Sequence, residues 1–218
     1  TLTTHGKEKL TCTVCKTTKT EELPLLTYET LGEYPMTEPK AKARAVDSVT
    51  LQWTEYEGAT GYNVYLRVNN KWTNVGTAEG VTEYTVSGLE SGTIYKFAVR
   101  AFVQTEEETY RTGYSASYVT ATKTPEVKLT ATKAEGDSEV VVRWTEEAKA
   151  DGYAIYASAD GINFERVALI KDSSDTAHRV TSLRAGRVYY FRVHTYVDAG
   201  DHNVYSSSSN VRATLVLS

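Results

Sequence analysis

The side chains best able to do chemistry in this 218-residue chain are few and scattered. Cys12 and Cys15 form a Cys-x2-Cys pair, a spacing that lets two thiolates meet one metal ion or join in a local disulfide. A tetrahedral structural zinc needs four ligands; His5 is a third candidate, and a fourth must come from another chain or from outside this segment. The disulfide candidate, Cys12 with Cys15, needs nothing further. A thioredoxin-like redox motif belongs at a helix start in a βαβ unit, whereas Thr-rich, strand-like sequence surrounds this pair.

Nucleophilic and general acid–base chemistry find less support. His5, His178, His194 and His202 are spread along the chain, and no Gly-x-Ser-x-Gly accompanies them. Two acidic loops occur, one with Glu106, Glu107 and Glu108, the other with Asp198, Asp201 and His202. Neither has the Asp-x-Asp-x-Asp-Gly spacing that would cage calcium. The sequence therefore implies no enzyme, no catalytic residues and no cofactor.

The elements that carry these residues are repeated. "VTLQWTEYEGATGYNVYL" at residues 49–66 is echoed by "VVVRWTEEAKADGYAIYA" at residues 140–157, so Trp53, Tyr62 and Tyr65 recur as Trp144, Tyr153 and Tyr156. Further on, "LESGTIYKFAVRA" is matched by "LRAGRVYYFRVHT", setting Leu89 and Tyr95 against Leu183 and Tyr189. The offset grows from 91 to 94 residues between these blocks. A period of that length is a whole small domain used twice, too long for a solenoid unit.

Within each copy, apolar and polar residues alternate: Tyr62, Val64 and Leu66 face one way, Asn63, Tyr65 and Arg67 the other. Turn signals separate the runs at Asp47-Ser48, Gly58 to Gly61, Asn69-Asn70, Ser91-Gly92, Gly136-Asp137, Asp160-Gly161 and Ala185-Gly186. Pro24, Pro35 and Pro39 precede the first copy and Pro125 lies between copies, so none interrupts a central strand.

Together, the Trp on the second strand, the Tyr-x-Val/Ile strand after it and Leu-x5-Tyr before a Phe-x-Val strand resemble fibronectin type III modules of bacterial surface or secreted proteins. The resemblance covers residues 38–218 and implies an all-β fold of two tandem seven-stranded immunoglobulin-like sandwiches. It implies a structural core of Trp53, Tyr62, Leu89 and Tyr95 in one copy and Trp144, Tyr153, Leu183 and Tyr189 in the other. The Leu/Tyr pairs are similar to the tyrosine corner of such folds. Burying each Trp removes roughly 150–250 Å², worth ~4–6 kcal/mol.

The head resembles the tail of a short bacterial surface repeat through "TCTVC" and "ELPLL", and departs from it at Leu2 and Lys16, where the repeat has Cys and Gly. The expected organisation is a Cys-x2-Cys hairpin over 1–26, a linker over 27–37 and the two modules over 38–124 and 125–218.

Charge and composition narrow the partners. Lys and Arg number 24 against 28 Asp and Glu, giving a formal charge of −4, with no block of either sign to recruit nucleic acid or insert into membrane. No apolar run reaches membrane-spanning length, and no signal peptide opens the segment at Thr1. Extracellular or surface-attached placement follows from the family resemblance. So does a monomeric, non-catalytic spacer or interaction module beside neighbouring domains of a larger protein.

The alternative is an adhesin or a protein- or glycan-binding module. Its surface would be the outward sheet face, with Tyr65, Arg67, Arg100, Phe102 and Tyr118 in copy one and Tyr156, Tyr190, Arg192, His194 and Tyr196 in copy two. The unequal acidic loops are a second candidate surface. Trp72 aligns with Phe164, which implies a shared packing role over the sheet edge.

A junction this short around Pro125 implies a semi-rigid rod of modules roughly 25–30 Å long, from strands of about eight residues rising ~3.3 Å each. Small-angle scattering on residues 38–218 should give an elongated profile with few interdomain orientations. A compact profile would reject the rod.

Overall fold

The computed structural model describes residues 7–22, 31–33, 35–135 and 138–217. The Gly136-Asp137 turn, Pro24, Leu2 and His5 lie outside the described residues. A hairpin of β1 (Lys7–Thr11) and β2 (Thr18–Glu22) comes first. Eight strands make the first repeat: β3 (Lys40–Arg44), β4 (Ser48–Gln52), β5 (Gly61–Val68), β6 (Lys71–Glu79), β7 (Glu83–Ser87), β8 (Ile94–Gln104), β9 (Thr109–Arg111) and β10 (Tyr118–Ala121). Another eight make the second: β11 (Leu129–Ala134), β12 (Val140–Trp144), β13 (Gly152–Ser158), β14 (Glu165–Ile170), β15 (Ala177–Val180), β16 (Val188–Asp198), β17 (Asn203–Tyr205) and β18 (Arg212–Leu215).

In each repeat a three-stranded sheet, β3-β4-β7 or β11-β12-β15, accompanies a five-stranded one. The larger sheets run β10-β8-β5-β6 with β9 on β8, and β14-β13-β16-β17 with β18 on β16. By compactness the chain divides into two units. The first holds the described parts of Thr1–Ala43 with Thr50–Val86 and Lys96–Val119, and the second holds Arg44–Val49, Ser87–Tyr95 and the described parts of Thr120–Ser218.

Local chemistry sets the hairpins. Asn69 and Asn70, at φ 47° and 63°, make the two-residue turn between β5 and β6, a left-handed geometry that Asn tolerates and the strand twist favours. Gly61 and Gly152 open the following core strands because no side chain fits. A Cβ on Gly152 would stand 1.9 Å from the Ile170 carbonyl oxygen, and one on Gly61 2.7 Å from the Phe102 ring.

Both cores are organised the same way. Trp53 and Tyr62 pack with ring centroids 5.4 Å apart at 58°, and Trp144 and Tyr153 at 5.2 Å and 58°. Each Tyr hydroxyl then accepts a backbone N–H six residues upstream, from Tyr56 at 2.9 Å and Glu147 at 3.0 Å. The Trp53 indole N–H is buried without an acceptor among the described residues, so this side chain acts through packing. Around the second pair, Leu129, Val140, Val142, Ile155, Phe191 and Val193 close a continuous apolar cluster. At the corner, Tyr95 and Tyr189 are half-buried, and their hydroxyls accept from Glu90 N at 2.8 Å and Arg184 N at 3.2 Å.

One departure from seven strands recurs in both repeats: the last strand is broken in two. Where it lifts away, hydroxyls replace carbonyls as acceptors for the neighbouring strand. Thr112 Oγ1 accepts from Ala101 N at 3.0 Å and Ser115 Oγ from Val99 N at 3.0 Å. In the second repeat Ser206 Oγ accepts from Thr195 N at 3.0 Å and Ser209 Oγ from Val193 N at 2.9 Å. Each of the four residues also returns its own backbone N–H to the same strand position, and each hydroxyl donates onward to the next residue's carbonyl. The ladder thus stays satisfied while residues 113–114 and 207–208 are lifted out of it.

The segment expected to be linker is partly packed. Leu31 and Met36 are buried, and Pro35 bridges Gly113 of the lifted segment.

Trp53→Ala and Trp144→Ala should each destabilise their own sandwich by about 3–5 kcal/mol, the cost of emptying a buried aromatic site. Ser209→Ala should cost about 1–3 kcal/mol because the buried Val193 N–H loses its acceptor. Denaturant midpoints check all three, and unchanged values would reject these roles.

Candidate functional site

Strand alternation sends Asn63, Tyr65 and Arg67 of β5 to the outward face of the larger sheet, opposite Arg100, Ala98 and Trp72 in register. The lifted segment carries Tyr114 back over that face. Its ring meets Tyr65 edge-on at 5.0 Å and stacks with Trp72 at 5.8 Å and 22°. The Arg67 guanidinium lies 5.3 Å from the Trp72 ring centre and that of Arg100 4.7 Å from the Tyr114 ring. The stacked rings Trp72 and Tyr114 are therefore flanked by Arg67 on one and Arg100 on the other. Arg100 Nε is further fixed by donating to the Thr112 carbonyl at 2.6 Å.

The second repeat builds a shorter version. Ser208 stands where the first has Tyr114, and Arg192 fills the space, 4.2 Å from Phe164 and 5.6 Å from Tyr156. His194 meets Tyr156 edge-on at 5.2 Å and its Nδ1 pairs with the Ser206 carbonyl at 2.9 Å. Trp72 and Phe164 do share a packing role over the outward face at the sheet edge, Trp72 on the edge strand β6 and Phe164 just before the edge strand β14.

The outward face is therefore less open than alternation alone implies. Tyr65, Phe102, Tyr118 and Tyr196 are all buried, 9% exposed or less. Phe102 covers Gly61, Tyr196 packs over Gly152 and against Tyr205, and Lys40 sits over the Tyr118 ring. Tyr156, Tyr190, Arg192 and His194 are half-buried, with Tyr190 beside Gly161. Sequence reasoning missed Tyr114, which sits in a loop-like stretch; the matched pairs Thr112/Ser115 and Ser206/Ser209 were the available signal.

Glu106, Glu107 and Glu108 are exposed in a tight turn closed by Thr105, whose N–H donates to the Glu108 carbonyl at 2.9 Å. Asp201 pairs with His202 Nδ1 at 2.5 Å. Among the described residues, no three His, Cys, Asp or Glu side chains come together as a metal site, and no helix is long and apolar enough to cross a membrane.

At the hairpin tip Cys12 and Cys15 are exposed free thiols. Lys16 takes the left-handed turn position at φ 59°, which lets Cys15 N–H donate to Cys12 Sγ at 3.3 Å while Cys15 Sγ pairs with Thr17 Oγ1 at 2.9 Å. A side-chain hydrogen bond with Cys12 foremost, and then those with Thr17, lower the Cys15 thiol to about 7. His5, the third zinc candidate, lies outside the described residues.

The sequence pattern of the fibronectin type III domain matches residues 34–114 and 123–212. Among curated proteins, Chitinase A1 of Niallia circulans is 28% identical over 176 residues, covering 76% of this chain and 24% of that protein. The chain thus spans about a quarter of that relative's length. Among solved structures, the FN1–FN3 domains of chicken CNTN1 align at TM-score 0.48 and 16% identity, over 97% of this chain and 77% of that one. A two-domain fibronectin type III segment of chicken tenascin aligns at 0.39 and 15%, over 84% and 99%.

Two outcomes follow from the titratable groups. Iodoacetamide should label Cys15 with a rate that rises through a midpoint near pH 7, read by mass spectrometry; a midpoint of 8.5 or above would reject the thiol contacts. Burial holds His194 and His178 below the ordinary imidazole value. Between that ordinary value, about 6.5, and the lower folded values, the unfolded chain binds the extra protons. Stability of the second sandwich is therefore full above about pH 7 and falls as the pH drops toward 5. Protection factors of peptides from residues 138–217, corrected for the slower intrinsic exchange at lower pH, should fall as the pH drops through that window, and His194→Gln should reduce the effect.

Proposed function

The chain belongs to the fibronectin type III family, and on that premise we propose that it is a non-catalytic segment of a bacterial extracellular or surface protein, spacing or holding other domains. One observation carries this reading. Four hydroxyls beside the long central strands are committed to the same structural bonds in both repeats, Thr112 and Ser115 in one, Ser206 and Ser209 in the other. His194 adds its ring nitrogen to the Ser206 carbonyl. A nucleophile would need a free hydroxyl beside a base. The match to about a quarter of a chitinase supports an accessory place beside a larger machinery.

A second reading, adhesion or recognition, is favoured by the Arg67-Trp72-Tyr114-Arg100 layer, whose aromatic and guanidinium composition is that of interfaces. Both readings expect no turnover. Incubated alone with chitin and with soluble polysaccharides, the purified chain should release no reducing ends. Release that tracks the chain through purification would overturn the proposal.

A further inference from the structure

Folding separates charge that the linear sequence mixes. The strands of the first large sheet, β5, β6, β8, β9 and β10, carry five cations, Arg67, Lys71, Lys96, Arg100 and Arg111, against one carboxylate, Glu79. The equivalent second sheet carries three, Arg166, Arg192 and Arg212, against Glu165 and Asp198. A chain of net charge −4 thus has a first large sheet that is the most positive of its four sandwich sheets.

Register puts four of those cations on one face. Arg67 lies opposite Trp72, Arg111 opposite Phe102 and Arg100 opposite Asn63, while Lys96 shares the alternation of Arg100. Glu79 is remote from their centre, paired with Gly61 at the end of β6. Glu106, Glu107 and Glu108 lie in the turn past the end of β8.

We propose that this face of the first module binds an acidic polysaccharide. The inference rests on the recognition reading of the same surface and names its ligand class. Trp72 and Tyr114 hold the Arg67 and Arg100 guanidiniums, and with Arg100 Nε bonded to the Thr112 carbonyl its two terminal nitrogens form the fork that pairs with carboxylate or sulfate. Because the rings fix the forks before binding, less side-chain entropy is lost on contact. Lys96 and Arg100 are separated by four residues along β8, about 13 Å at the strand rise, so the anions they meet belong to an extended chain with repeated charges. The Tyr114 ring is 37% exposed between the two guanidiniums, and its hydroxyl offers a neutral partner for sugar hydroxyls.

Binding of the whole chain to polygalacturonate and to dextran sulfate, measured by calorimetry with neutral dextran as control, tests this. Both acidic polymers should bind and dextran should not, with affinity dropping steeply between about 50 and 300 mM salt. Arg67→Gln/Arg100→Gln should weaken binding roughly tenfold or more, whereas Arg166→Gln in the second module should leave it unchanged. Unchanged affinity in the double variant, with circular dichroism showing it folded, would overturn the site. Equal or tighter binding of polyglutamate or an oligo-dT strand would overturn the ligand class. Failure to bind either acidic polymer would overturn the proposal and leave the non-catalytic spacer standing. Release of reducing ends would instead defeat the non-catalytic reading, whatever the affinity.

Discussion

Buried strands must satisfy every N–H and C=O, and the exchange of side-chain for backbone acceptors at Thr112 and Ser115 meets that demand while freeing the chain to leave the sheet. Much else on the first sheet follows from it. Gly113 reaches the Pro35 bridge, Tyr114 swings over the outward face, and its ring locks Trp72 and Arg100 into one layer. An unbroken last strand would have kept residues 113–114 in the ladder and left that face bare. The same exchange in the second repeat lifts Ser207 and Ser208, which carry no ring, so Arg192 covers the face from within the sheet.

The Trp–Tyr pairs show why the scaffold was legible in the sequence. Trp53 with Tyr62 and Trp144 with Tyr153 keep their spacing of nine residues, and the structure repeats their 58° inclination. Large side chains at fixed spacing on period-two strands have few ways to pack, so residue type and position nearly determine contact. The tyrosine corners were readable for the same reason, since a hydroxyl five residues after the amide it caps has one local geometry.

The surface was less legible. Alternation gives the direction of Tyr65, Phe102 and Tyr196 and says nothing of what covers them. Tyr114 and Tyr205 arrive from elsewhere in the chain, and Gly61 and Gly152 leave room for a neighbouring ring to settle. Serines and threonines near strand ends read as loop, because their hydroxyls commonly compete with the ladder rather than complete it. Charge was hidden similarly. Alternation puts Arg67 and Arg100 on one face, but only strand pairing brings Arg111 there, opposite Phe102.

The paired hydroxyls have a consequence for how such modules diversify. Anchors on either side of the lifted dipeptide hold the fold, and the side chain at its second position, Tyr114 or Ser208, makes none of those ladder bonds. Tyr114 and Ser208 thus behave as exchangeable inserts in one socket, and the anchors do not depend on which side chain is displayed there. Duplicated domains usually face a conflict in which a new surface erodes the core beneath it. Here the two are mechanically uncoupled, so one copy can acquire an aromatic blade while its twin stays plain, with the same sandwich under both.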